Sequence, residues 1–465
     1  MNDVVDFINV NRDRYIDELK QYLAIPSISA LPEHAADVRR AAQWTADAIG
    51  QAGLQNVRLI DTPGNPVVYG DWLDAPGKPT ILFYGHYDVQ PVDPLNLWTT
   101  PPFEATVRDG EIYARGSADD KGQVFMHIKA VEAHVKKGGR LPLNIKFFIE
   151  GEEEVGSVHL DDFIRAHKDE LSADVVVISD SPMFDRGIPS ICYGLRGLTY
   201  FQLDLRGSRS DLHSGSFGGA VANPAYVLAT VLAQMKDKGN GRIRIPGFYD
   251  DVRPLSDAER AEWKKLPFNE TRYRKELGAP KLWGEKGYST LERVWARPTF
   301  EVNGLLSGFT GEGAKTVLPA VAMAKVSMRL VPDQDPKKIG DLFEAYVNKI
   351  TPATMELKVT RMHGGKPWMT EFDNKYVRAA GRAIEKGFGQ TPVFNREGGS
   401  IPVVSTFQEE LGLPSVLFGV GLPDENAHAP DEKLDLGNFH NGIIASAFLY
   451  EEIANLDRAT NLVGG

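Results

Sequence analysis

Five short apolar runs in this chain each end, at or just past their carboxyl side, in a residue suited to hold zinc or to act on its water. They are ILFYG before His86 and Asp88, IYARGSA before Asp119, IKFFI before Glu153 and Glu154, VVVIS before Asp180, and SVLFGVGLPDENA before His428. Such a run reads as a buried strand, and open α/β sheets place their sites in the crevice beyond the carboxyl ends of their strands. Two imidazoles and several carboxylates converging there make a two-metal hydrolase the first hypothesis.

The texture of the chain changes twice. Up to about Arg196 helical and strand-like stretches alternate. Phe7 to Leu23 is predicted as one amphipathic helix stopped by Pro26, Ala35 to Ala52 as a helix ended by Gly53, and Gln123 to Lys137 as a helix closed by Gly138 and Gly139. Lys78 to Gly85, Leu143 to Glu150 and Ala173 to Ser179 are the strands between them. This rhythm predicts a mainly parallel sheet covered on both faces. TYFQLDLRG (199 to 207) then alternates as a half-exposed strand does, and AVANPAYVLATVLAQM follows as a helix. The stretch 239–298 reads as short helices and loops, while FEVNGLLSG and VAMAKVSMRLVP are strands and KIGDLFEAYVNKI is a helix. That middle part is α+β with an antiparallel sheet.

After about Gly365 the βα texture returns, with a helix from Tyr376 to Gly387, PSVLFGVG as a strand, and a closing helix from Phe439 to Leu456. His428 lies in this last part and the other candidate ligands in the first, so a single site requires both parts to form one domain. The expected fold is α/β: a mainly parallel-sheet catalytic domain, 1–196 with 366–465, interrupted by an inserted α+β domain, 197–365.

Two domains also suit 465 residues, more than one hydrophobic core usually serves. The net charge of −11, from 52 Lys plus Arg against 63 Asp plus Glu, is not interrupted by a basic block, which argues against nucleic acid and anionic membrane as partners. The only cysteine is Cys192, so a disulfide framework is excluded, any metal is left to nitrogen and oxygen ligands, and a buried, inert thiol is expected. The first residues lack the basic and apolar regions of a signal peptide, and no run is long enough to cross a bilayer; a cytoplasmic enzyme is the expectation.

Each candidate has a plainer role when taken singly. His86 at a strand end can be structural, Asp119 or Asp120 can cap the helix that follows, Asp180 can form a turn before Pro182, and His428 can be a surface histidine. Their joint placement is what carries chemistry. His86 and Asp88, at i and i+2, share one side of an extended chain, so Asp88 can orient the His86 ring while its other nitrogen binds metal. Asp119 offers two oxygens and can bridge two ions, with Asp120 and Lys121 serving the turn. Three successive glutamates after an apolar strand repel one another unless a cation or a shared proton compensates them. One can bind metal while its neighbour addresses the attacking water.

The motifs GHYDVQP, GSADDKG, EGEEEVGS, ISD, DLHSG, KTVLP, RLVP, REGGSIP and AHAPDEK, in this order over nearly the whole chain, resemble those of the M20 family of metallopeptidases, most closely its dipeptidase branch, which includes carnosine dipeptidases. The resemblance implies a di-zinc catalytic domain and a lid domain that also forms a homodimer interface. It implies that His86 and Asp180 hold one zinc, Glu154 and His428 the other, and that Asp119 bridges them, often through a cis Asp119–Asp120 peptide. Glu153 then aligns with the general base, Asp88 with the partner of His86, and Glu152 with a variable position. His213 in SRSDLHSGSFGG aligns with a histidine that reaches across from the other subunit to the oxyanion. Arg329, Thr316 and Ser400 align with positions that contact substrate. Two Zn²⁺ per subunit are expected, with Mn²⁺ or Co²⁺ as substitutes, since oxygen and imidazole donors without thiolate suit all three.

The activity so implied is hydrolysis of the amide bond of dipeptides. A deacylase of N-acyl amino acids on the same metal core is the nearer alternative, and a non-catalytic binding protein is disfavoured by the retention of Glu153. GFTGEGAKT (308 to 316) is not a phosphate-binding loop, because Ala314 separates the glycine from Lys315 and a strand-like stretch follows.

Overall fold

The apolar runs form the middle of one sheet. The structure, a computed structural model of the chain, describes residues 1–399 and 401–456. Strands Asn144–Glu150, Thr80–His86, Val175–Ile178 and Ser415–Leu417 lie side by side in that order, all parallel. Apart from Thr80, every residue in these four strands is buried, which is why they read as continuous apolar runs instead of alternating ones. His86 stands opposite Glu150, and Tyr84 opposite Ile178, so the strands finish along one edge of the sheet.

Antiparallel strands flank this parallel core. Val67–Trp72 pairs with Asn144–Glu150 and Gln55–Ile60 pairs with Val67–Trp72, while Ser190–Leu195 pairs with Ser415–Leu417 on the other side. These three flanking strands are absent from the sequence expectations. Gln55–Ile60 mixes polar residues into an exposed edge, and Gly70 and Asp71 break the apolar pattern of Val67–Trp72.

Helices cover both faces. Helix Lys121–Gly138 is buried from Lys121 to His134 and packs against Asn2–Val10, Arg12–Leu23, Ala35–Ala52 and Leu436–Ala454. On its side of the sheet the Phe83 ring meets His127 at 4.2 Å and Phe147 at 4.8 Å. The alternate residues Tyr84 and Phe148 face the other way, toward Phe407 and Phe163, each at 5.5 Å. Gly53 (φ 109°) and Gly139 (φ 68°) end their helices in the left-handed conformation that favours glycine. The single helix expected over Phe7 to Leu23 is instead two, Asn2–Val10 and Arg12–Leu23. Asn11 stands at the break, where its side-chain amide donates to the Phe7 carbonyl at 2.8 Å and its oxygen accepts from Arg14 at 2.9 Å. A short amide side chain competes there with the helical hydrogen bonds.

The chain forms two compact units. The first comprises Met1–Tyr193, Thr370–Asn395 and the chain from Thr406 onward; the second comprises Gly194–Met369 and Arg396–Ser405. The second holds an antiparallel sheet in the order Thr299–Ser307, Val321–Leu330, Gly197–Arg206, Glu356–Gly365. Burial alternates along Gly197–Arg206, as its sequence predicts. Helices Pro224–Met235 and Pro336–Ile350, capped by Asn223 and Asp335, close one face over a core that includes Phe201, Leu203, Leu228, Val326 and Phe343. Glu356–Gly365 is a further strand absent from the sequence expectations, because most of its side chains are exposed and carry little apolar pattern. Among the described residues no helix is long and apolar enough to cross a membrane. Cys192 is buried.

Gly122 lies in the first turn of helix Lys121–Gly138, and a Cβ there would lie 2.0 Å from the Ser117 carbonyl oxygen. G122A is therefore expected to lower stability by about 1–3 kcal/mol, the usual penalty of overpacking. Urea unfolding beside the unchanged chain checks this, and equal midpoints would contradict it.

Candidate metal centre

Each candidate side chain of the first unit sits just beyond a structural element that fixes it. His86 ends strand Thr80–His86, and Asp180 follows Val175–Ile178 by two residues. Glu153 and Glu154 open a short 3-10 turn, Glu153–Val155, closed by Gly156 at φ 93°. Asp119 precedes helix Lys121–Gly138 through a cis peptide to Asp120. His428 lies in the loop between Ser415–Leu417 and Lys433–Asp435, with a left-handed backbone at φ 63°.

The fold gathers these residues into two triads that share one carboxylate. His86, Asp119 and Asp180 offer donor atoms within 4.8 Å of one another, and so do Asp119, Glu154 and His428. His428 Nε2 lies 2.9 Å from one Asp119 oxygen and 3.2 Å from Glu154. His86 Nε2 lies 3.1 Å from the other Asp119 oxygen, yet the pair lacks hydrogen-bond geometry and this buried nitrogen is unsatisfied. His86 Nδ1 is 3.1 Å from the Asp88 carbonyl and 3.4 Å from its carboxylate, so Asp88 orients the ring chiefly through its main chain. In the neutral ring, with Nδ1 donating, the Nε2 lone pair on the Asp119 side would be available to an ion.

Electrostatically the cluster is short of positive charge. Burial pushes the Glu153 carboxyl far above its ordinary range, and Asp180, Asp119 and Glu154 add to this against the pull of His86. Burial and then Asp119 raise Asp180 to about 7. Hydrogen bonds donated to the Asp119 and Glu154 carboxylates lift His428 to about 10 against its burial. Burial also opposes charge on His86, but the Asp119 and Asp88 carboxylates hold its protonated form well above the usual range. Asp119 is held below its range by the two imidazoles, although burial acts the other way. The carboxylates thus draw protons and imidazolium charge toward themselves. Divalent cations would supply that charge, and an orphaned imidazole nitrogen amid oxygen donors fits them.

Neighbouring groups fix the donors. Gln90 donates to the Glu154 carboxylate at 2.8 Å. Asp88 accepts from Ser29 Oγ at 2.6 Å and from the Glu154 N–H at 3.2 Å. Ser179, beside Asp180, donates to the Phe418 carbonyl at 2.6 Å and accepts from His127 Nε2 at 2.7 Å. Burial lowers His127 to about 3, so this histidine is neutral. Asp120 accepts from the His86 N–H at 3.2 Å, and the buried Lys121 ammonium donates to the Ile25 carbonyl at 2.6 Å. Glu432 accepts from Arg115 and from three main-chain N–H groups of the Asp119 loop. Burial raises its carboxyl against the pull of Arg115, but four donors on two oxygens describe the ionised form. Ser29, Gln90, His127 and Glu432 carry no role in the sequence reading. Gln90 and Glu432 do lie inside GHYDVQP and AHAPDEK, the one signal available for them.

The second unit brings His213 and Thr316 together. Strand Leu212–His213 pairs with Val317–Leu318, and the Ser214 N–H donates to the Thr316 carbonyl at 3.1 Å. His213 is exposed, and its Nδ1 accepts from the N–H groups of Gly215 (3.0 Å) and Ser216 (3.2 Å). Its Nε2 therefore carries the ring proton. Arg329 is half-buried near the end of Val321–Leu330, and burial lowers its guanidinium below the usual value. Ser400 lies outside the described residues.

Residues 82–452 match the model of Peptidase family M20/M25/M40. The Cys-Gly metallodipeptidase DUG1 of Candida albicans is 35% identical over 456 residues, 94% of either chain. The Beta-Ala-His dipeptidase of Homo sapiens is 32% identical over 471 residues, 97% of this chain and 92% of the relative. Among solved structures, the M20 family metallo-carboxypeptidase Sso-CP2 from Sulfolobus solfataricus matches with a TM-score of 0.84 at 33% identity, over 95% of this chain and 99% of that one.

Glu150 contributes a separable part of the pH dependence of the metal-free protein. It is buried at its strand end and accepts from Tyr84 OH at 2.6 Å and Ser157 Oγ at 2.8 Å, yet burial still raises it from 4.5 to about 7. The folded chain binds this proton more tightly than the unfolded one. Its contribution is full at acid pH and is lost as pH rises through about 7. E150Q mimics the neutral acid and should gain stability over the unchanged chain across that rise, on the order of 3 kcal/mol at most. Thermal melts of both proteins at pH 5 and pH 8 measure it, and a constant difference would count against it.

Proposed function

The chain belongs to peptidase family M20/M25/M40, and from that premise we propose that it is a two-metal dipeptidase, using water to cleave the amide bond of a dipeptide. The pair of triads sharing Asp119 carries this reading. His86 and Asp180 would hold one ion, Glu154 and His428 the other, with Asp119 common to both. Zinc suits these donors, and manganese or cobalt would be accepted in its place. When bound, two such ions polarise the scissile carbonyl and make water acidic enough to lose a proton near neutral pH.

The remaining work falls to the protein's own groups. Glu153 takes the proton of the attacking water and returns it to the leaving amine. Asp88 holds the His86 ring. His213, with its proton on Nε2, is suited to donate to the oxyanion of the tetrahedral intermediate. Arg329, with Thr316 and Ser400, receives the free carboxylate of the substrate, since a guanidinium fork pairs with a carboxylate in bidentate fashion.

A homodimer through the second unit completes this reading, with His213 serving the site of the other subunit. The edge strand Thr299–Ser307, which exposes Val302, Leu305 and Leu306, supports it. We place the enzyme in the cytoplasm, which a single buried cysteine suits, and take a small peptide as its substrate. The net charge of −11 supports neither nucleic acid nor membrane as a partner. Two relatives named as dipeptidases favour dipeptides over N-acyl amino acids as substrates.

E153Q should still bind two ions per chain while kcat falls by about 10²- to 10⁴-fold. Metal analysis beside hydrolysis assays tests this, and undiminished turnover refutes the mechanism. Chelation should abolish activity, and zinc, manganese or cobalt should restore it. A panel of α- and β-linked dipeptides, a tripeptide and an N-acetyl amino acid should favour the dipeptides; preference for the acetyl substrate would make the enzyme a deacylase.

A further inference from the structure

We infer that Glu432 is a positioning residue for the metal centre: its carboxylate ties the loop carrying Asp119 to the loop carrying His428, and so sets the shared ligand in place before any ion binds. The inference rests on the two-metal reading above.

Glu432 lies four residues after His428 and is 0% exposed. One carboxylate oxygen accepts from the N–H groups of Ala118 at 3.0 Å and Asp119 at 3.1 Å. The other accepts from the Gly116 N–H at 3.0 Å and from Arg115 Nη1 at 2.7 Å. The Glu432 carbonyl accepts from the Ala114 N–H at 3.1 Å, and Lys433–Asp435 continues as a strand against Glu111–Tyr113. One side chain therefore takes four donors from a five-residue stretch more than 300 positions away. Arg115 is equally buried and is held by the Pro91 carbonyl at 3.0 Å.

Two features separate this from ordinary packing. One oxygen of Glu432 bonds the main chain of Asp119 itself, and Asp119 belongs to both triads. A shift of that main chain would move the donor atoms of both ion positions. The His428 loop, for its part, holds three non-glycine residues in left-handed backbone: Asn426 (φ 58°), His428 (φ 63°) and Asp431 (φ 58°). Such conformations persist where the surroundings over-determine them. Glu432 and the Asp431 carboxylate, which accepts from the Thr99 N–H at 2.8 Å, anchor the loop's far end.

The two oxygens make the role testable. All four partners donate, so an amide at position 432 must turn its NH₂ toward one pair of them. Arg115, the charged donor, will claim the amide oxygen, leaving the NH₂ against Ala118 and Asp119. In R115M/E432Q that competition is gone, and the oxygen can turn back to Ala118 and Asp119. Zinc affinity of the metal-free proteins, measured by competition with a chelating dye, should fall by about 10- to 100-fold in E432Q, the usual effect of losing an outer-sphere partner. R115M alone, which strips the buried carboxylate of its charged partner, should lower zinc affinity less than E432Q does, because Ala118 and Asp119 still donate to one oxygen. The double variant should recover most of the E432Q loss. The absorption bands of the cobalt-loaded forms should shift in E432Q and return in the double variant.

An E432Q protein that melts earlier but binds zinc like the unchanged chain overturns the proposal, as does a double variant that recovers nothing. If E432Q does not fold, amide hydrogen exchange on the unchanged metal-free protein decides. Slow exchange at Gly116, Ala118 and Asp119 before zinc is added supports a preformed clamp, and protection that arises only with zinc overturns it. Failure of the unchanged protein to bind two ions would instead sink the two-metal reading.

Discussion

Negative charge crowded beyond the ends of a parallel sheet is the constraint around which the first unit is arranged. Asp119, Glu153, Glu154 and Asp180 meet at a largely buried site open to solvent on one side, with the buried His86 and the exposed His428 among them. Carboxylates at such spacing cannot all ionise without compensating cations. Glu153 and Asp180 are pushed toward their protonated forms, and His428 toward its charged one. The same imbalance that disfavours the bare protein favours a divalent ion. Affinity for metal and strain in its absence are two views of one arrangement.

Holding that arrangement takes a rigid surround, and the fold provides it in layers. The parallel strands deliver His86, Glu153, Glu154 and Asp180 to one edge because His86 and Glu150 share a register. Helix Lys121–Gly138, buried along most of its length, fixes the turn that presents Asp119. Below Asp180, the neutral His127 pins Ser179 to helix and strand at once. Glu432 and Gln90 then adjust the loops, one by gathering main-chain donors and the other by holding a carboxylate.

Much of the fold was legible in the sequence for a simple reason. Continuous apolar runs and helical spacing are local, and burial on both faces leaves no room for polar interruption, so Thr80–His86 and Asn144–Glu150 announce themselves. Gln55–Ile60 and Glu356–Gly365 did not, since an exposed strand owes its pairing to a neighbour and not to its own pattern. The break at Asn11 depends on one side-chain amide, which periodicity does not register. The candidate ligands were legible because a histidine or acid beyond an apolar run is conspicuous. Glu432 was not, since a carboxylate that serves main-chain N–H groups looks like any other acid in a charged loop.

By itself the sequence determined which residue types stand at the ends of which strands, the chemistry open to them, and the family to which the chain belongs. Residue type and local periodicity are properties of short segments, and family motifs are read in order along the chain. Tertiary structure alone decided the distances that put Asp119 in both triads, a sharing the family resemblance had implied, and that Asp88 steers His86 chiefly through its carbonyl. It also decided that the loops of Asp119 and His428 are bound together by one buried carboxylate. These are relations between segments up to some three hundred residues apart. Their distances come from packing and register, which no local stretch of sequence encodes.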